Sequence, residues 1–280
     1  MSVAALPPEP EASRGLRPSV RILLAGLPIA ALAVAPLAIG TQGGADFAAR
    51  LLPPSLHHPF GTDPMGRDMA WRTLQGLALS LRIGLLAAAL SAGIALVLAL
   101  LASVSRVTDA LVSLVTDAAL ALPHLVALIL VAFAFGGGTG GVVAAVALTH
   151  WPRLARILRA ELLGVLAMPY VEASRGYGRS RAFIARAHVL PHLLPQLGVG
   201  FVLLFPHAIL HEAALTFLGF GLEPSRPAIG VLLADAMRSL SAGHWWLGVF
   251  PGLALLGLAL CFEGLGSTLR RRLDPRGGRS

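Results

Sequence analysis

The sequence predicts an all-α, polytopic membrane protein of about six transmembrane helices, with one polar loop between the fourth and fifth. Three observations carry that prediction. Of the 280 residues, 56% are hydrophobic and only 13% charged, against about 25% charged in ordinary soluble domains. The mean hydropathy is +0.76. The apolar residues fall in long runs bracketed by arginine, near the roughly 20 residues that cross a bilayer. A soluble core would not absorb so much apolar surface, whereas bilayer-spanning helices would.

Each element follows in chain order. Residues 1–20, with Pro7, Pro8, Pro10 and Pro18 beside Glu9 and Glu11, read as a disordered cytoplasmic tail with no cleavable signal peptide. Residues 21–76 hold the first span, Ile22–Gly40, and an outer segment. Residues 77–273 make up the transmembrane domain, and 274–280 a second cytoplasmic tail. The second span, Ile83–Ser105, lies between Arg82 and Arg106. No charged residue occurs from Ala118 to Pro152, a run too long for one span. The glycines of Gly136–Gly141 divide it. The third span is then Leu111–Phe135. The fourth starts near Val142 and continues past Pro152 through Arg153, Arg156 and Arg159. The fifth covers Leu193–Phe217. After an outer segment, 219–244, the sixth covers Trp245–Phe262, with Trp245 and Trp246 at the outer interface. An even number of spans puts both termini on one side.

The basic residues set orientation and exclude chemistry. The formal charge is +8, and all 22 basic residues are arginine. A chain without lysine has no P-loop and forms no Schiff base. With the N-terminus inside, only Arg50, Arg67, Arg72, Arg82, Arg226 and Arg238 fall outside, leaving sixteen of the 22 on the cytoplasmic side. The positive-inside rule accounts for that charge without any nucleic-acid partner. Cys261 is the single cysteine, so no intrachain disulfide forms.

The polar loop has its own local logic. Pro169 suits the first position of a helix, and Glu172 falls in its first turn, where the dipole favours an acid. Gly178 can take a positive φ and end that helix. Ser180 can cap a second short helix through Phe183, Ile184 and Ala187. Pro191 then precedes the next span. Two short helices at an angle, lying across the membrane face, form a knuckle that can dock in a partner's groove.

The stretch Tyr170-Val-Glu-Ala-Ser-Arg-Gly-Tyr-Gly178, followed after eleven residues by Leu190-Pro191, resembles the cytoplasmic coupling loop of prokaryotic ABC-importer permeases. His58-Pro-Phe-Gly-Thr-Asp-Pro-Met-Gly-Arg-Asp68, Leu215-Thr-Phe-Leu-Gly-Phe-Gly-Leu222 with Pro224 and Gly230, Phe250-Pro-Gly-Leu253, and Leu269, Leu273, Asp274, Pro275 and Arg276 resemble the dipeptide/oligopeptide/nickel branch of that family. The resemblance implies a transport subunit of the bacterial or archaeal cytoplasmic membrane, not an enzyme. It implies a second permease subunit, two ABC ATPase subunits that bind ATP and Mg, and an extracytoplasmic substrate-binding protein. No cofactor belongs to this chain. Glu172, Ala173, Gly178, Leu190 and Pro191 would belong to the ATPase-contacting loop. Ser174 and His188 depart from the family pattern, which has alanine and isoleucine there, and residues 41–57 are short for an outer segment. The cargo implied is a dipeptide, an oligopeptide, nickel or a nickel chelate.

Ionisable groups within spans are costly and are candidates for function. Asp117, His124, His150, His207, His211, Glu212 and Glu263 qualify, with Asp117, His150, His207, His211 and Glu212 as candidate pathway residues. His207 and His211 share a helical face beside Glu212. Imidazole binds nickel, but interhelical hydrogen bonding explains such residues equally, Glu212 could pair with an arginine near a span end, and no metal site is assigned. Gly93, Gly200, Gly248, Gly252 and Gly257 are expected to permit close helix packing. Two other classes stay open: a self-sufficient secondary transporter or channel, which would need inverted repeats or an intramembrane charge relay, and an intramembrane enzyme.

Overall fold

The computed structural model describes residues 26, 27, 29 and 44–273. Apart from those three positions, the expected first span lies outside the described residues, as do the two tails. The rest is helical: among the described residues there is no strand, only an isolated bridge between Thr62 and Asp68.

Helix α1 (Met69–Ala102) starts at Asp68, whose side chain accepts from the Trp71 amide. It begins 14 residues before the expected second span. Helix α2 (Arg106–Ala121) opens with a capping box between Ser105 and Thr108. The expected third span is not straight. Pro123 offers no amide hydrogen and forces Leu122 out of the helical region, so α2 and α3 (His124–Ala134) meet at 101°. Gly136, Gly137 and Gly138, all at positive φ, turn the chain into α4 (Gly138–Leu166), which runs unbroken through the arginine-bearing stretch. The loop helices α5 (Pro169–Gly176) and α6 (Arg181–Ile184) follow. A π turn, Ala185–Val189, carries α6 into α7 (Leu190–Phe217). The expected outer segment 219–244 contains α8 (Ile229–Leu240), and α9 (Trp246–Leu273) ends the described chain. Among the described residues three helical stretches, Met69–Ala102, Arg181–Phe217 and Trp246–Leu273, are individually long and apolar enough to cross a membrane, and the bent α2–α3 pair has the composition of a fourth broken span or of a re-entrant loop. Helix α4 has the length, 29 residues, but Arg153, Arg156, Arg159 and Glu161 fill its second half.

The central helix is α1, and its buried face is built from small side chains. Gly76, Ser80, Gly84, Ala88, Ser91, Ala95 and Ala99 are all buried, spaced three or four apart so that they share one face, with Ala87 buried beside them. Against them pack Val142, Ala145 and Val146 of α4 and Ala208 and Phe205 of α7. A Cβ at Gly84 would stand 2.5 Å from the Ile209 side chain, so α1 and α7 approach as closely as that glycine allows. Of the glycines expected at packing contacts, Gly200 presses on Leu154, whereas Gly93 and Gly257 face open space.

The segment before α1 folds around one carboxylate. Asp63 is 1% exposed. Its Oδ1 accepts from the amides of Met65 (2.8 Å) and Arg67 (2.9 Å), and its Oδ2 from Arg67 Nε (2.7 Å) and Arg72 Nη1 (2.6 Å). The indole Nε1 of Trp246 donates to the Thr62 carbonyl at 3.3 Å. Trp246 is therefore a core anchor, 6% exposed, and not the interface residue expected of it; Trp245, 49% exposed, is the one at the surface. Asp63→Ala would leave the Arg72 guanidinium buried without its carboxylate. The expected cost is about 3–5 kcal/mol, read as a lower thermal midpoint in detergent. Asp46→Ala, which loses only an exposed cap on the Phe47–Ala49 turn, should melt close to wild type.

Candidate functional site

Two features stand out, the polar loop and a histidine-lined cavity, and one helix joins them. The loop forms as its residue types dictate. Pro169 occupies the first turn of α5 with Glu172 beside it. Gly178, at φ +75°, takes the left-handed conformation that ends the turn. Ser180 Oγ accepts from the Phe183 amide at 3.2 Å and opens α6.

Three apolar residues pin this knuckle to the bundle. Val171, Ile184 and Val189 are buried against Leu158, Leu162 and Leu193. Arg181 Nη1 donates to the Val104 carbonyl at the end of α1 (2.8 Å), and the Arg179 guanidinium lies 4.9 Å from the centre of the Phe183 ring. A cleft of about 830 Å3 between the loop and the α1–α2 turn carries Arg106, Arg175, Arg179 and Arg181 with Asp109. The outward surface holds Glu172, Ala173, Gly178 and Pro191, all exposed, with Leu190 partly covered. Tyr177 is 86% exposed.

The two departures from the family pattern turn out to be partners. His188 Nε2 and Ser174 Oγ lie 3.2 Å apart, linking α5 to the π turn. Sequence reasoning had treated them as separate exceptions, because 14 positions separate them. Beyond the π turn the helix runs on without a break: Arg181 to Phe217 is one 37-residue stretch. His211 stands 30 residues along it from Arg181, about 45 Å at 1.5 Å per residue.

The cavity lies among α3, α4 and α7 and has a volume of about 500 Å3. His124, His150, His207 and His211 line it, with Arg153 and Thr149. Three of the rings form a cluster: His124 stands 4.7 Å from both His150 and His211 between ring centres, His150 and His211 are 5.0 Å apart, and every pair lies near edge-to-face. His124 comes first in α3 because Pro123 breaks the helix just before it. The i, i+4 spacing of His207 and His211 was legible in the sequence; their meeting with His124 and His150, far away in the chain, was not.

The remaining in-span candidates lie elsewhere. Asp117 is exposed and pairs with Arg156 at 2.5 Å. Beside it Arg159 holds Asp109 through two hydrogen bonds, 2.5 and 2.7 Å, so α2 and α4 are cross-linked on their polar side. Glu212 is fully buried on the opposite face of α7 from the histidines, with Thr216 Oγ1 donating to it at 3.2 Å. It joins neither the histidine cluster nor an arginine. Glu263 is exposed on α9.

The Ser174–His188 contact is measurable. In a cycle of Ser174→Ala, His188→Ala and the double variant, the coupling energy should be about 0.5–1.5 kcal/mol, read from thermal melts in detergent. Strictly additive losses would show that the contact contributes nothing to the loop.

With the geometry in hand, comparison with known proteins is direct. The family described as the binding-protein-dependent transport system inner membrane component matches residues 83–275. A Brucella suis biovar 1 (strain 1330) protein named "Putative peptide transport system permease protein" is 39% identical over 263 residues, covering 93% of this chain and 88% of that protein. The dipeptide transport system permease protein of Bacillus subtilis (strain 168) is 34% identical over 227 residues, covering 80% and 71%. Among solved structures, a crystal structure of an amino acid ABC transporter with histidines superposes with a TM-score of 0.57 at 22% identity, covering 73% of this chain and 95% of that one, and so shares the fold. The chain belongs to the family of binding-protein-dependent transport system inner membrane components and is a permease subunit of an ABC importer.

Proposed function

We propose that this permease imports short peptides, and that the loop 169–191 is where partner ATPases grip it. Peptide cargo is supported by the names of the relatives, which refer to peptide and dipeptide transport. The observation that carries the loop assignment is its construction: an exposed surface with Glu172, Gly178 and Tyr177 outermost, anchored beneath by Val171, Ile184 and Val189. A rigid knuckle transmits force, whereas a slack loop would absorb it.

The partners are a second permease subunit, two ABC ATPases carrying ATP and Mg, and a substrate-binding protein on the outer side. The loop faces the cytoplasm, as the arginine distribution requires, and both termini share that side. ATP binding draws the ATPases together and tilts the knuckle. Because α6 continues through the π turn into α7, the tilt moves the helix that carries His207 and His211. The path then opens toward the binding protein, and hydrolysis resets it. His150, His207 and His211 line this chain's half of the path. Its own contribution is shape and leverage, and the ATPases supply the chemistry.

Gly178 supplies the test. A side chain added there meets nothing within 4 Å in this chain, and aspartate tolerates positive φ better than most residues. Gly178→Asp therefore meets no steric clash, and its backbone strain at positive φ should cost about 1 kcal/mol, too little to unfold the chain, so its larger effect falls on a partner's surface. We expect Gly178→Asp and Glu172→Lys to reach the membrane at wild-type levels, yet to lower uptake of a labelled dipeptide at least tenfold and abolish substrate-stimulated ATPase activity. Wild-type uptake by both variants would overturn the loop assignment.

A further inference from the structure

We infer that His124, His150 and His211 form a binding site for one divalent transition-metal ion inside this permease. One nitrogen from each ring can be chosen so that all three lie within 4.8 Å of one another. On a tetrahedral ion with metal–nitrogen bonds of about 2.0–2.1 Å, donor nitrogens stand about 3.3 Å apart. The present spread of up to 4.8 Å is therefore wider than a bound ion needs, and rotation of the rings about their side-chain bonds has to close it.

The hydrogen bonds around His150 hold it in a ligand's state. Its Nδ1 faces two acceptors, the Val146 carbonyl at 3.0 Å and Thr149 Oγ1 at 3.1 Å, and the threonine hydroxyl hydrogen is already given to the Ala145 carbonyl at 2.8 Å. Nδ1 therefore carries the hydrogen, and Nε2 presents its lone pair to the cluster. Outer-shell bonds of this kind fix the tautomer and orientation of metal-binding histidines. His211 Nδ1 lies 2.8 Å from the His207 carbonyl and donates to it, so His211 would bind an ion through Nε2.

Polarity argues the same way. Three imidazoles converge between helices with one direct inter-ring hydrogen bond, an expensive arrangement in apolar surroundings. A cation satisfies all the free lone pairs at once. Imidazole-only ligation suits Zn2+, Co2+ and Ni2+ and not Mg2+ or Ca2+, which demand oxygen. Three protein ligands leave a fourth position open, toward the cavity that also holds His207 and Arg153. The ion would tie α3, just past the break at Pro123, to α4 and α7. His150 and His211 also line the path proposed above, so an ion here would sit beside the cargo's route.

The test uses the assembled importer, stripped with a chelator and titrated with Co2+, followed by visible absorption and by metal analysis after desalting. We expect wild type to hold one more Co2+ per copy of this chain than His150→Ala or His124→Ala, with the absorption of a low-coordinate, nitrogen-ligated ion. His192→Ala, altered outside the cavity, should bind as wild type. Size-exclusion profiles and subunit stoichiometry report whether each variant assembles, and His124, less buried than His150, provides the variant least disturbing to packing. Equal Co2+ content in wild type and His124→Ala, with the latter assembled, would overturn the site. So would a Co2+ spectrum unchanged by loss of either histidine.

Discussion

The bundle depends on how closely other helices can approach α1. In lipid there is no hydrophobic gain from pressing two apolar helices together, so association rests on dispersion contacts and a few polar ones. Dispersion falls steeply with distance, and only small side chains let backbones come near enough to collect it. The buried row from Gly76 to Ala99 supplies them. On that seam α4 and α7 find fixed places, and with them the histidines of the cavity. The large apolar residues of the same helix, Leu85, Leu86, Leu90 and Val97, point outward and are exposed, as befits a surface that meets lipid or a second subunit.

Charge is handled by enclosure at one end and by exposure at the other. Ahead of α1, Asp63 is buried and accepts four hydrogen bonds, two from arginine side chains, which offset the desolvation of the carboxylate. At the opposite end Arg156 and Arg159 of α4 are paired with Asp117 and Asp109. Between them polar groups are few, and most lean on their own helix: Thr149, His150 and Thr216 all bond within one turn. The histidine cluster is the exception that reaches across helices.

The π turn at Ala185–Val189 connects these levels. An inserted residue of this kind perturbs a helix locally and often sits at functional positions. Here it lets α6 lie in the loop while its continuation enters the bundle as α7. Loop and cavity thus share one helix, with no coil between them.

Much was decided by local chemistry that any reader of the chain can see. The all-helical class follows from composition, and the loop helices follow from Pro169, Gly178 and Ser180, whose preferences act within a few residues. The motif from Tyr170 to Pro191 pointed to the right family. What the sequence could not display was anything set by distance across the bundle. The arginine-bearing continuation of α4 was legible in the chain, but the pairing of Arg156 and Arg159 with Asp117 and Asp109 of α2 was not. The break at Pro123 was hidden inside an uncharged run, because hydropathy does not register direction. His207, His211 and Glu212 looked like one group, yet the helical repeat points Glu212 away, and the partners of His211 come from residues 61 and 87 positions earlier. Periodicity tells which residues share a face of one helix; only the packing of small residues on α1 determines which faces meet.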